Sequence, residues 1–192
     1  NPVETRDQRF RNSLRNRYPQ RKFLSLAPHM HALRFVKEPR EIELIKKAVE
    51  VTTDTFKDVL PFIKPGVMEY EIEAEWARSF ISKRCKFAYG PIIASGKNAC
   101  VLHYLQNDQA CKKGDLLLMD VGACYANYNA DLTRTVPVSG KFSRRQKQVY
   151  QAVLRVLQKS ITGATAGKEI KEWRSEAHEM MNEELVRLKL IG

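Results

Sequence analysis

Lys113-Gly114-Asp115-Leu116-Leu117-Leu118-Met119-Asp120-Val121-Gly122 sets the frame for the rest of the chain. Lys112-Lys113-Gly114 is turn chemistry, and the apolar run that follows has the character of a strand buried on both faces. The run ends on a carboxylate, Asp120. Burying a carboxylate costs several kcal/mol, on the order of 3 or more, unless donors or a cation satisfy it. The same problem returns at Asp131, in Asn129-Ala130-Asp131-Leu132-Thr133-Arg134-Thr135. A chain reversal about Tyr125/Ala126 would set residue 120 opposite residue 131. Directly opposed side chains on one face have Cβ atoms about 4.5–5.5 Å apart. Two like charges that close repel, and a divalent cation removes the conflict. Oxygen ligands alone favour Mg, Mn or Ca over copper or thiolate-bound zinc. Spacing by itself also permits a plainer arrangement, in which Asp131 pairs with Arg134 and Asp120 caps a turn.

Outward from this hairpin the elements follow. A helix is predicted from Pro39, with Ile42, Ile45, Val49, Thr52, Phe56 and Val59 as its stripe and Pro61 and Pro65-Gly66 as its stop. A second helix starts near Glu69, carries Ile72, Trp76 and Phe80 on one face, and ends near Lys83. Residues 86–96 read as strand and turn, Val101-Leu102-His103-Tyr104 as a short β-like run, and Tyr125 to Val138 as a second β-like run. Ser143 with Gln146 is a capping box for a helix with Val149, Val153, Val156 and Ser160 on its stripe. A last helix after Gly167 buries Ile170, Trp173, Ala177, Met181 and Leu185. His29 to Val36 is expected to be extended, and residues 1–27 show no sustained period. The order implies an α+β fold with helices on one face of a mixed or antiparallel sheet.

Composition narrows the class. The chain has 192 residues, 33 Lys and Arg against 22 acids, and a formal charge of +11. No apolar run reaches the roughly 18 residues of a membrane span, so no membrane partner is expected. Cys85, Cys100, Cys111 and Cys124 lack CxxC spacing, which argues against a zinc finger and for reduced thiols in a cytoplasmic protein. Residues 1–40 hold ten Lys and Arg against three acids, so most of the basic surplus is one N-terminal arm. The arm shows neither an RNA-binding signature nor a helix-turn-helix pattern. It reads as a solvated linker, and a nucleic-acid partner is not expected. The first residues, Asn1-Pro2-Val3-Glu4, lack both Met and a signal region, which suggests a trimmed chain or a start inside a longer one.

The hairpin continues through Pro137-Val138-Ser139-Gly140-Lys141-Phe142 to Gln146 and Tyr150. Taken with Ser95-Gly96-Lys97-Asn98-Ala99-Cys100, Leu102-His103-Tyr104 and the entry Leu33 to Ile42, it closely resembles the Xaa-Pro aminopeptidases (aminopeptidase P). These are metallopeptidases of the M24 family, with the pita-bread fold shared with methionine aminopeptidase and prolidase. The resemblance covers roughly residues 28–192. The Thr-Arg-Thr-x-Pro-x-x-Gly-Lys-Phe tail favours the Xaa-Pro branch.

The resemblance implies two divalent metal ions, with manganese the expected metal, held by two aspartates, one histidine and two glutamates. Asp120 matches the aspartate that chelates one ion, and Asp131 the one that bridges both. His103 matches the histidine near the substrate, a partner of the peptide or of the tetrahedral intermediate. Without the resemblance, His103 reads as a strand histidine satisfied by a carbonyl. His178 reads as a surface residue, and Met180, Met181 and Trp173 as core. The substrates implied are peptides with proline in second position.

The family's metal histidine and both glutamates would lie beyond Gly192, so two of five ligands are expected here. On this reading, residues 1–38 are a basic arm from a preceding domain. Residues 39–192 are the N-terminal portion, about one half, of the pita-bread catalytic domain. The chain alone is expected to be inactive and to expose a sheet edge and an apolar face, covered by a second copy in a homo-oligomer or by the missing C-terminal half. The alternative is a non-catalytic pita-bread module that binds peptide or protein.

Overall fold

The computed structural model describes residues 3–192. The chain divides into two units, one reaching to Ile42 and the other running Glu43–Gly192. The first unit holds α1 (Arg6–Arg17) and α2 (Ala27–Phe35). Both differ from the expectation of an unpatterned arm and an extended 29–36 segment. Thr5 and Gln8 form a reciprocal capping box that starts α1. Pro28 sits in the first turn of α2, where its missing N–H costs nothing. Neither helix buries a residue, so neither carries the apolar period by which helices are recognised.

α3 (Pro39–Val59) begins at Pro39, and a 3-10 turn around Pro61 closes it. Its buried face is Ala48, Val51, Thr52, Thr55 and Val59. Ile42 and Val49 of the expected stripe are exposed instead. α4 (Glu69–Ser82) buries Ile72, Trp76 and Phe80 as expected. Phe56, Trp76, Phe80 and Phe87 form a continuous aromatic row, with centroids 6.3, 5.5 and 5.3 Å apart. Offset and edge contacts at such distances add roughly 0.5–1.5 kcal/mol per pair beyond area burial. Burial pushes the Cys111 thiol up to about 11.

Among the described residues, six short strands form two antiparallel sheets. One has the order β1 (Lys86–Phe87), β4 (Ala123–Tyr125), β5 (Tyr128–Asn129); the other β2 (Ile92–Ser95), β3 (Leu116–Val121), β6 (Leu132–Pro137). The expected single run from Tyr125 to Val138 is broken between β5 and β6. On β3, Leu117, Met119 and Val121 are buried, whereas Leu116, Leu118 and Asp120 are half-buried. The apolar run therefore has one core face, not two. Its other side borders an apolar groove of about 430 Å³ lined by Leu116, Thr135, Tyr150, Val153 and Leu157.

α5 (Arg144–Gly163) starts at the Ser143/Gln146 capping box. It buries Ala152 and Val156 but leaves Val153, Leu157 and Ile161 exposed. Side-chain hydrogen bonds tie α6 (Ile170–Arg187) to α5. Trp173 Nε1 donates to the Ser160 carbonyl (2.8 Å), and Arg155 grips the buried Glu184 through two hydrogen bonds of 2.9 and 2.6 Å. The expected α6 face is only half-buried, with Ile170 exposed.

Candidate metal centre

The hairpin reverses between Ala126 and Asn127, one position later than the spacing suggests. Both residues have positive φ, +49° and +67°, as a two-residue type I′ connection requires. Asp120 consequently pairs with Thr133, not with Asp131. Tyr125↔Tyr128 and Cys124↔Asn129 belong to the same register. The displacement is an even number of residues, so the face is preserved. Asp131 sits diagonally from Asp120 on the same side of the hairpin.

The two carboxylates still meet. Tyr89 Oη lies 2.7 Å from Asp120 Oδ1 and 3.0 Å from Asp131 Oδ1. A phenol has one proton, so both acceptors share a single donor. Burial, then hydrogen bonding to the two aspartates, pushes the Tyr89 hydroxyl far above its ordinary range. The plainer arrangement is not found: Arg134 donates to the Thr133 carbonyl (2.8 Å). Asp120 is half-buried and Asp131 exposed, so the burial cost expected at Asp120 is partly relieved by solvent.

Gly122 makes this geometry possible. A β-carbon there would fall 1.8 Å from the Ala130 carbonyl oxygen. The Gly122 carbonyl accepts from Ala88 N (2.8 Å), and Ala88 in turn places Tyr89.

His103 does not lie on a strand. Residues 101–103 form a turn, and His103 has φ +55°. The short apolar stretch around it resembles a strand only in composition. Val101, Leu102 and Leu105 are exposed, so no alternating face is buried. His103 shares an open pocket of about 370 Å³ with Tyr89, Gly90, Ile92, Leu105, Asp120 and Asp131. All three sequence-expected site residues are thus brought together. His178 is exposed on α6, and Trp173, Met180 and Met181 are half-buried.

Sequence reasoning missed two residues of this region, Tyr89 and Glu69. Tyr89 carried no signal beyond one more aromatic in a β-like stretch. Glu69 was visible only as the acid at a helix start, whereas in the fold it is wholly buried.

Among the described residues, no group of three or more His, Cys, Asp or Glu could hold a metal ion. The donors present do fit part of such a centre. Two carboxylates converge on one phenolic proton beside an open pocket, a hard-oxygen arrangement suited to a divalent cation.

Comparison with known proteins gives the family. The model of metallopeptidase family M24 matches residues 43–191. The Xaa-Pro aminopeptidase of Haemophilus influenzae is 36% identical over 170 residues, covering 88% of this chain and 38% of that protein. That of Escherichia coli is 35% identical over 165 residues, with 85% and 37% covered. The structure of a putative aminopeptidase P from Bacillus anthracis superposes with a TM-score of 0.92 at 38% identity, covering 99% of this chain and 46% of that one.

The mixed helix-and-sheet architecture is part of the pita-bread fold of these aminopeptidases. The chain belongs to metallopeptidase family M24. It spans less than half the length of the relatives it matches.

Proposed function

We propose that this chain carries part of the catalytic centre of a metal-dependent aminopeptidase acting on Xaa-Pro peptides. Asp120 and Asp131 would hold two divalent ions, manganese being the expected metal. His103 would contact the peptide. The observation that carries this reading is the approach of both carboxylates to one Tyr89 hydroxyl, in the same pocket as His103. When bound, the ions would supply a water of lowered pKa and countercharge for the developing oxyanion.

The chain's own residues do the rest. Asp120 and Asp131 supply oxygen ligands of fixed spacing. Tyr89 holds an oxygen of each. His103, at the pocket rim, would orient the peptide carbonyl.

Two carboxylates leave most of a coordination shell to water, so affinity should be weak and the chain alone inactive. The apolar row Val153, Leu157 and Ile161 and the edge strand β6 would be covered by a second copy or by a C-terminal half. Residues 1–38 would be an arm preceding the catalytic portion, 39–192. The cytoplasm is the expected location, in keeping with four free cysteines, and no helix of the described residues is long and apolar enough to cross a membrane.

Calorimetric titration with Mn²⁺ tests the site. The parent chain should bind, and Asp131→Asn should abolish the signal. Equal binding by both would end the assignment. Robust turnover of an Xaa-Pro peptide by the chain alone would overturn the inactivity.

A further inference from the structure

Glu69 is a carboxylate with 0% exposure, deep in the second unit. Burying a charge is costly, and an apolar residue would be cheaper there unless the site demands an acceptor. This one does. Glu69 Oε1 accepts from Ser95 N (2.7 Å), Ser95 Oγ (2.7 Å) and Asn98 Nδ2 (3.1 Å). Its Oε2 accepts from Tyr104 Oη (2.7 Å) and Gln109 N (3.0 Å). Every one of these donors lies between residues 95 and 109, the segment that carries His103. Two are backbone N–H groups that no apolar side chain could satisfy.

One helical turn along α4, Glu73 repeats the tie. Its Oε2 accepts from Asn107 Nδ2 (2.8 Å), which also donates to the Pro91 carbonyl (3.0 Å). Asn107 Oδ1 accepts from Ile93 N (2.9 Å). The segment is therefore held at both ends by one face of α4. Its middle is held by little else: Leu102 is 92% exposed, and Val101 and Leu105 are each 56% exposed. His103 itself sits at a left-handed backbone angle, φ +55°, that strains an L-residue. Strain of this kind persists only where the surroundings impose it. Beside His103 only Tyr104 is buried, and its hydroxyl donates to Glu69, so the buried acceptor ties the turn down at its next residue.

We propose that Glu69 is a positioning residue, which fixes the 95–109 segment on α4 and so holds His103 over the pocket of Asp120 and Asp131. It does not touch substrate; it acts through Ser95, Tyr104 and Gln109. Ser95 ends β2, whose Ile92 is registered with Asp120, so a single side chain links the His103 segment to the strand bearing a candidate ligand. The inference rests on the proposed function for the meaning of His103, but its test does not need turnover.

The experiment compares the 192-residue parent with Glu69→Gln and Tyr104→Phe by amide hydrogen exchange and by ring signals of isotope-labelled histidine, with Mn²⁺ as paramagnetic probe. Glutamine keeps the size but offers an NH₂ to donors. In Glu69→Gln, protection of the Ser95 and Gln109 amides, which donate to Glu69, should fall at least about tenfold, while that of residues 73–80 changes little. The His103 ring signals should move toward unstructured values. Mn²⁺ should broaden both Tyr89 and His103 in the parent but only Tyr89 in the variant, a difference that a general loss of stability would not produce.

If Glu69→Gln does not fold, Tyr104→Phe removes one donor and decides, with a smaller change of the same pattern. Unchanged Ser95 and Gln109 exchange and unchanged His103 signals in the folded variant would overturn the proposal. If Mn²⁺ broadens neither residue in the parent, the metal reading fails instead. The exchange and histidine signals still decide Glu69.

Discussion

Gly122 and Ala130 face each other so closely that a β-carbon on the first would lie 1.8 Å from the carbonyl oxygen of the second. This contact sits where β3 passes into β4 and where the return strand reaches Asp131. It sets how near the two arms of the hairpin run beside the carboxylates. Glycine is required here by space, not by backbone angle: Gly122 is not among the residues with positive φ.

Gly122→Ala should therefore be among the most damaging single substitutions in the chain. Forcing atoms into backbone costs roughly 1–3 kcal/mol and sometimes more, and here the obstructing atom cannot rotate away. Urea unfolding should show a loss of about 3 kcal/mol. A loss below about 0.5 kcal/mol, the usual range of neutral surface changes, would mean that the close approach is not real.

The Ala126-Asn127 turn points the other way. Both residues have positive φ, which suits asparagine and strains alanine. Ala126→Asn should raise stability by about 0.5–1 kcal/mol, with the Tyr125–Tyr128 pairing kept. A drop in the unfolding midpoint would contradict the type I′ assignment.

Tyr89→Phe removes the donor shared by Asp120 and Asp131. Hydrogen bonds to charged groups are worth about 1.5–3 kcal/mol, but Asp131 is exposed, so a loss near 1 kcal/mol is expected. In a background carrying Asp120→Asn and Asp131→Asn the loss should shrink. A double-mutant cycle with no coupling would show that the phenol does not hold the aspartates.

The pH dependence follows from Glu69. Burial alone would raise its pKa, but hydrogen bonds from Ser95, Tyr104 and Gln109 outweigh it and leave the value below the ordinary one. The folded state thus binds the proton less readily than the unfolded chain. Stability from this group is complete above the unfolded value, near 4.3, and is lost as pH falls through the lower folded value. The stability gap between parent and Glu69→Gln should be constant above about pH 5 and narrow on acidification. A gap that widens in acid would reverse the sign. Tyr104, its partner, is pushed up to about 12, by burial first and then by Glu69, and stays protonated throughout.

Much of this was legible in the sequence because it depends on short-range rules. The Ser143/Gln146 box, Pro39 at a helix start and the face of Ile72, Trp76 and Phe80 are local patterns with local causes. The aspartate pair was legible for the same reason: a nearby reversal leaves few registers, and an even displacement kept both side chains on one face. What the sequence hid depends on distant partners. Glu69 and Tyr89 acquire their roles from residues 26 to 42 positions away. His103 looked like a strand residue because its neighbours are apolar, yet Val101, Leu102 and Leu105 face solvent, and the segment is tied to α4 through Glu69 and Glu73. α1 and α2 were missed because helices that bury nothing leave no period to read.

The shared register of the hairpin also orders events in time. Residues 120 and 131 belong to a unit that a chain can close on the scale of about 1–10 μs, as hairpins do. Tyr89 must arrive from 31 and 42 residues upstream, and longer closures come later in folding. On that order the two acids would confront each other before their common donor is in place. Refolding in millimolar Mn²⁺ would then be faster than refolding in chelator, because screening their repulsion would act on the barrier rather than on the finished molecule.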